Sequence, residues 1–139
     1  MRFIGKIHSK RKGEKYHSVE INELGIFTQG TDYEDCLEMA HDSLETLLNI
    51  KINIAAHSLT TFTVSSDDLK PLIGRFLSTM RENADLTIRE VVERLGKKSP
   101  NYYAQYEQGK SLPGLDTLSD LIKAMSPEQD LFVSLKRID

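Results

Sequence analysis

Between positions 97 and 110 the chain gathers side chains suited to reading another molecule. Asn101, Tyr102 and Gln105 fall on one face of a short helical stretch, Lys97, Lys98 and Lys110 flank it, and Ser99 stands at its start. Asn and Gln carboxamides pair bidentately with adenine, and tyrosine meets a phosphate or a thymine methyl. Lysines contact backbone phosphates and set register without reading sequence. The chemistry these residues suit is recognition of duplex DNA, whose major groove admits one α-helix. Tyr103 and Tyr106, three apart, face the other way, towards a core. A plain helical bundle with a polar face fits the same spacing.

The elements that must hold this stretch are legible from periodicity and caps. A helix is predicted over about Leu69–Asn83, with Leu72, Phe76, Leu77 and Met80 inward. Thr87-x-x-Glu90 has the form of a capping box and opens a second helix that buries Val91, Val92 and Leu95. Gly96 ends it, because glycine tolerates the left-handed conformation after a helix. Ser99-Pro100 opens the third helix, with Pro at the first helical position where its missing N–H has no partner to lose. That helix ends at Gly109. A fourth is predicted over about Leu115–Met125 with Leu115, Leu118, Ile122 and Met125 on one side, and Ser126-Pro127-Glu128-Gln129 starts a fifth. Two short helices joined by a tight glycine-containing turn, at the second and third positions, have the form of a helix-turn-helix.

The first half has a different period. Phe3–His8 and Tyr16–Ile21 read as strands joined by a basic hairpin containing Gly13, and Ile26–Gln29 is a third short run. Tyr33, Leu37, Ala40, Leu44 and Leu47 then follow helical spacing to about Asn49, entered by a capping-box pattern at Thr31-x-x-Glu34. Thr61–Val64 is a fourth strand. The order β-β-β-α-β suits an α+β layer with one helix on a sheet. Ser65-Ser66-Asp67-Asp68 is a polar break, which divides the chain into domains at 1–66 and 67–139, the second all-α with five helices.

Composition narrows the class. The chain has 139 residues, 39% hydrophobic and 28% charged, with 18 basic and 21 acidic residues and a net charge of −3. That is a globular composition, too short for a large multi-layer enzyme fold. Its single cysteine cannot close an intramolecular disulfide and excludes cysteine-rich zinc sites. With no apolar run near the roughly 20 residues of a membrane helix and no secretion segment, a cytoplasmic location is expected. Charge is unevenly placed. Residues 1–19 are basic, 31–46 are acidic without a Lys or Arg, and 89–110 are basic again. A mildly acidic protein can therefore offer a local positive face to an anionic polymer.

Catalytic patterns are weak. Glu14, Glu20 and Glu23 lie at turns or strand ends and do not converge as metal-dependent nuclease chemistry requires. His8, His17, His41 and His57 lack the spacing of a helical metal pair. Cys36 reads as a small hydrophobe rather than a nucleophile. Gly109-Lys110-Ser111 lacks the earlier glycine and the strand of a phosphate loop. No catalytic residue, metal or cofactor is assigned, and the chain is read as a non-enzyme.

Residues 72–125 resemble the lambda-repressor/Cro (Xre) type of DNA-binding domain. The matching residues are Leu86-Thr87, Glu90-Val91-Val92, Leu95-Gly96, Ser99, Tyr106-Glu107-Gln108-Gly109 and Pro113. The resemblance implies that Lys98 to Gln105 enter the groove. Ile88 and Pro100 stand where that family often has a phosphate-contacting Gln and a base-reading polar residue, so direct readout falls on Asn101, Tyr102 and Gln105. The first half resembles the HicB antitoxin domain, a degenerate ribonuclease-H-like fold. It matches at Tyr16, Val19, Gly25, Thr28-Gln29-Gly30-Thr31, Glu34-Asp35-Cys36-Leu37 and Ala40. Leu24 and Glu20 replace prolines usual in that family.

These resemblances imply the antitoxin of a type II toxin–antitoxin pair. Its first domain would mask a small, basic, HicA-like mRNA-cleaving toxin. Its second would bind operator double-stranded DNA and repress the shared operon. Glu34, Asp35, Glu38 and Asp42 are the candidate toxin contacts, since acids can compete with RNA phosphates for a basic surface. The other reading is a stand-alone repressor whose first domain senses a ligand or dimerises. Both imply a homodimer or a higher even-numbered oligomer, because such modules read paired half-sites.

Overall fold

The computed structural model describes residues 1–137. Its first half is an antiparallel five-stranded sheet with one helix on it. Strand β1 (Phe3–His8) pairs with β2 (His17–Ile21), placing Lys6 opposite Glu20, and β2 pairs with β3 (Ile26–Gly30). The other edge of β1 takes β5 (Thr61–Ser65), which in turn takes β4 (Asn53–Ala56), so the spatial order is β3-β2-β1-β5-β4. Alternation along each strand sends one set of side chains inward: Ile7, Val19, Ile21, Ile26, Phe62 and Val64. They meet Cys36, Ala40 and Leu44 of helix α1 (Tyr33–Leu48) in one apolar cluster. Burying each large aliphatic or aromatic side chain contributes about 1.5–3 kcal/mol. Gly5 lies directly against the buried Phe62 ring, which a Cβ at that position would overlap.

The element order is β-β-β-α-β-β, with one strand, β4, more than the sequence pattern shows. Asn-Ile-Ala-Ala is poor in β-branched and aromatic residues, and β5 supplies the pairing that propensity does not. The cap of α1 is Asp32, not Thr31. The Asp35 N–H donates to Asp32 Oδ1 at 2.8 Å, while the Thr31 N–H and hydroxyl both donate to Asp35 Oδ2. On α1 the expected Ala40 and Leu44 are buried, together with Cys36, and Tyr33 and Leu37 pack half-buried against them, whereas Leu47 is exposed.

The second half consists of α2 (Leu69–Asn83), α3 (Ile88–Arg94), α4 (Asn101–Glu107) and α5 (Leu115–Met125). Ile73, Leu77, Val91, Val92, Tyr103, Leu118, Leu121, Ile122 and Met125 form its core. On α5 the inward set includes Leu121, whereas Leu115 faces solvent, contrary to the sequence expectation. No fifth helix follows in this half. Ser126–Gln129 makes a single turn, closed by Gln129 N–H to Ser126 O at 3.0 Å, and the chain beyond it has no regular structure up to residue 137. A segment this short does not sustain a helix without a surface to pack on, and Phe132 and Val133 disfavour one.

Helix α2 belongs to both cores. Leu72 packs into the first cluster, and Ile73 and Leu77 into the second. The rings of Phe3 and Phe76 lie 5.9 Å apart across the junction. Arg75 donates from Nε to the carbonyl of Leu24 at 2.7 Å and from Nη2 to that of Gly25 at 3.2 Å. Those carbonyls belong to a single 3-10 turn, Asn22–Leu24, and to the left-handed Gly25 that ends it.

Candidate nucleic-acid interface

Helices α3 and α4 are set by their ends. Thr87 accepts from the Glu90 N–H, and the Glu90 carboxylate accepts from the Thr87 N–H, so the capping box is complete. Gly96 at φ 71° closes α3, with Gly96 N–H on Glu93 O and Lys97 N–H on Val92 O. Gly109 at φ 70° closes α4 in the same way, through Tyr106 O and Gln105 O. These paired bonds satisfy the carbonyls that a helix end would otherwise leave open. The turn between the helices is thereby fixed as Leu95–Pro100, with Lys97, Lys98 and Ser99 exposed. Pro100 is already helical at φ −54° and ψ −31°, and the Ser99 carbonyl accepts from the Tyr102 N–H.

The back of α4 is held from three sides. Tyr103 is fully buried, its hydroxyl 3.9 Å from Met125 Sδ. Burial pushes its phenol pKa up beyond the usual range, and the Glu107 carboxylate adds to this. Gly74 of α2 lets α4 approach, since a Cβ there would lie 2.6 Å from the carbonyl oxygen of Glu107. Arg81 then clamps the assembly. It meets Glu107 through two bonds of 2.6 and 3.0 Å and also donates to the Leu86 carbonyl at 3.0 Å. The paired hydrogen bond to Glu107 holds the guanidinium firmly in its charged form.

With its back so fixed, α4 turns Asn101 to solvent and leaves Tyr102 and Gln105 half-buried at the surface. Asn101 and Gln105 are one turn apart and share a face. The Lys97 ammonium lies 5.2 Å from the centroid of the Tyr102 ring. Gln105 is oriented as well. Its Oε1 accepts from the Ser111 hydroxyl at 2.9 Å and its Nε2 donates to the Tyr102 carbonyl at 3.4 Å, so the carboxamide is held at both ends and keeps one amide hydrogen to present. Lys110, next to Ser111, is exposed. Neither Ser111 nor Arg81 carries a local sequence signal of its part in this surface. The Glu107-x-Gly109 pattern was visible, but its ion-pair partner lies 26 residues away and no local signal marks it.

The acidic candidates on α1 separate into two kinds. Glu34 and Glu38 are exposed, whereas Asp35 is occupied by Thr31 and the helix start. Asp42 lies 3.1 Å from His41 Nδ1, and His41 Nε2 lies 3.2 Å from Glu45. Among the described residues no group of three or more His, Cys, Asp or Glu is placed to hold a metal ion. No described helix is long and apolar enough to cross a membrane.

This arrangement defines a helix-turn-helix domain, and residues 72–128 match the profile of that family, described as a helix-turn-helix domain. Two relatives from Mycobacterium tuberculosis, from strains CDC 1551 / Oshkosh and ATCC 25618 / H37Rv, each bear the name of an uncharacterized HTH-type transcriptional regulator. Each is 38% identical to this chain over 52 residues, which is 37% of this chain. The aligned stretch spans 36% of the length of those relatives.

Proposed function

We propose that the chain is a cytoplasmic DNA-binding transcriptional regulator that reads operator duplex through α4. The observation that carries this is a polar face on a rigidly backed helix: Asn101, Tyr102 and Gln105 stand outward while Tyr103, Gly74 and the Arg81–Glu107 pair fix the other side. In this reading Asn101 and Gln105 meet base edges, Tyr102 meets a phosphate or thymine methyl, and Lys97, Lys98, Ser99 and Lys110 meet phosphates. The names of the two relatives agree with a regulator. Gln105→Ala is expected to weaken operator binding by about 1–3 kcal/mol and to relax preference at one base position. Lys98→Ala should weaken all sequences alike and shallow the salt dependence by roughly one phosphate. Binding isotherms at several salt concentrations measure both. A Gln105→Ala protein with unchanged affinity and preference would end this assignment.

The finer reading is that the first domain is a HicB-like antitoxin module with a degenerate ribonuclease-H-like fold. It would bind a small basic HicA-like toxin while α4 represses the shared operon. Its support is the resemblance at Gly25, Thr28–Thr31 and Glu34–Leu37, together with the exposed carboxylates of Glu34 and Glu38 on α1. Co-expressing the neighbouring small basic reading frame with this chain should give a stable complex and restore growth. Persistent toxicity would leave a stand-alone regulator. That second reading has its own support in a cleft between the halves, lined by Asn22, Phe76, Thr79, Met80 and Met125. The buried Thr79 hydroxyl there has no protein partner, so a small ligand could supply one.

A further inference from the structure

We infer that the segment Asp130–Lys136 is a dimerisation strand, which pairs antiparallel with the same segment of a second copy about a two-fold axis at Val133. The segment leaves the end of α5 with no regular structure, yet it exposes large apolar side chains: Phe132 at 92%, Val133 at 66% and Leu135 at 97%. Leu-Phe-Val-Ser-Leu is rich in strand-forming residues and contains neither Pro nor Gly. Nothing else in the described chain leaves so many consecutive apolar side chains in water.

The sequence is complementary to itself in one register. With Val133 opposite Val133 of the second copy, Leu131 falls opposite Leu135 and Asp130 opposite Lys136. Alternation then puts Leu131, Val133 and Leu135 of both copies on one face, and Asp130, Phe132, Ser134 and Lys136 on the other. Opposite charges face each other at both ends of the pair, where Asp130 exchanges its exposed 3.7 Å contact with Lys123 for Lys136 of the second copy, and on the apolar face Val133 meets Val133 between the two Leu131–Leu135 pairs. Moving the register by one residue would oppose Leu131 to Lys136 and lose both matches. The apolar face has a place to rest, because Leu131 already packs against the core formed by α2–α5. The ribbon would thus continue that core across the two-fold axis and join the two helical domains. Reading paired half-sites would require such a join. The inference leans on the DNA-reading proposal only for that purpose.

The test needs no DNA. The full chain should sediment at about twice its 15.8 kDa, and Val133→Pro should return it to the monomer mass without changing its circular dichroism. In an antiparallel pair only the residue on the axis stands opposite itself. Val133→Cys should therefore cross-link to its own copy under mild oxidation at least tenfold faster than Phe132→Cys or Ser134→Cys. The wild-type chain, whose Cys36 is buried, should not cross-link. A monomeric wild-type chain overturns the inference. So does a dimer that survives Val133→Pro, or equal cross-linking at positions 132, 133 and 134. A dimer that passes these tests but ignores operator DNA would leave the ribbon standing and remove the DNA reading. A monomer that binds operator would do the reverse.

Discussion

The ion pair of Arg81 and Glu107 shows how one contact decides where a functional face lies. Both side chains are largely removed from water, at 17% and 13% exposure, and their charges meet at 2.6 Å. Removing one partner strands the other, which costs about 3–5 kcal/mol for a buried pair. Glu107→Ala is therefore expected to lower unfolding free energy by about 3 kcal/mol. Arg81→Met with Glu107→Leu should recover much of that loss in urea titrations, since no lone charge remains. Cys36 makes a quieter case. Burial pushes its thiol pKa up, with Asp35 and then Asp32 adding to the effect. The native chain should not react with a thiol reagent until it unfolds. The sign for stability follows from the raised value. The protonated thiol favours the folded state below the unfolded pKa, and that contribution is lost as pH rises through the folded one. Stability measured between pH 8 and 10 should thus fall faster for the wild-type chain than for Cys36→Ala.

At the scale of elements, the ends of helices were more legible than their faces. Thr87, Gly96 and Gly109 announce their roles by residue type, because a cap needs a side-chain oxygen and a left-handed residue favours glycine. Helix α5 likewise begins at Leu115 and ends at Met125, as its periodicity predicts. Thr31 and Asp32, one residue apart, are both competent caps of α1 by residue type, and only the bond from the Asp35 N–H decides between them. Strand β4 was invisible, since Asn-Ile-Ala-Ala becomes a strand only beside β5. Spacing alone places Leu115 and Leu47 inward, but both are exposed, because a helix stripe can be wider in sequence than the surface it meets. Helix α2 ends without glycine, and this yields a prediction. Asp85 sits at φ 56°, with its N–H on Glu82 O and the Leu86 N–H on Arg81 O, the same closure that Gly96 and Gly109 make. A non-glycine residue there carries a conformational cost of about 1 kcal/mol. Asp85→Gly should raise stability by up to about 1 kcal/mol despite the greater freedom of its unfolded chain. A lower melting temperature would show that the Asp85 side chain contributes more than its backbone costs.

For the whole molecule, the polar break at 65–68 marks a change of secondary structure but not a gap between cores. Helix α2 begins just after the break and gives Leu72 to one cluster and Ile73 and Leu77 to the other. An element shared in this way couples the two halves, because neither can lose it without exposing apolar surface of its own. Thermal unfolding should therefore be a single transition, with coincident midpoints whether followed by sheet signal or by fluorescence of a probe beside α4. Arg75 is the polar part of the coupling. Its removal leaves the Leu24 and Gly25 carbonyls without their donor at a half-buried site, a loss of about 1–3 kcal/mol. For a chain of this size, Arg75→Ala should lower the midpoint by roughly 3–10 °C. Adding Phe3→Ala removes the ring that packs on Phe76 and should begin to separate the two midpoints, the helical half now melting apart from the sheet. If the halves stay locked in one transition after both changes, the aliphatic contacts of Leu72, Ile73 and Leu77 alone carry the coupling. In that case α2 passes a change at the sheet to α4 through packing rather than through its arginine.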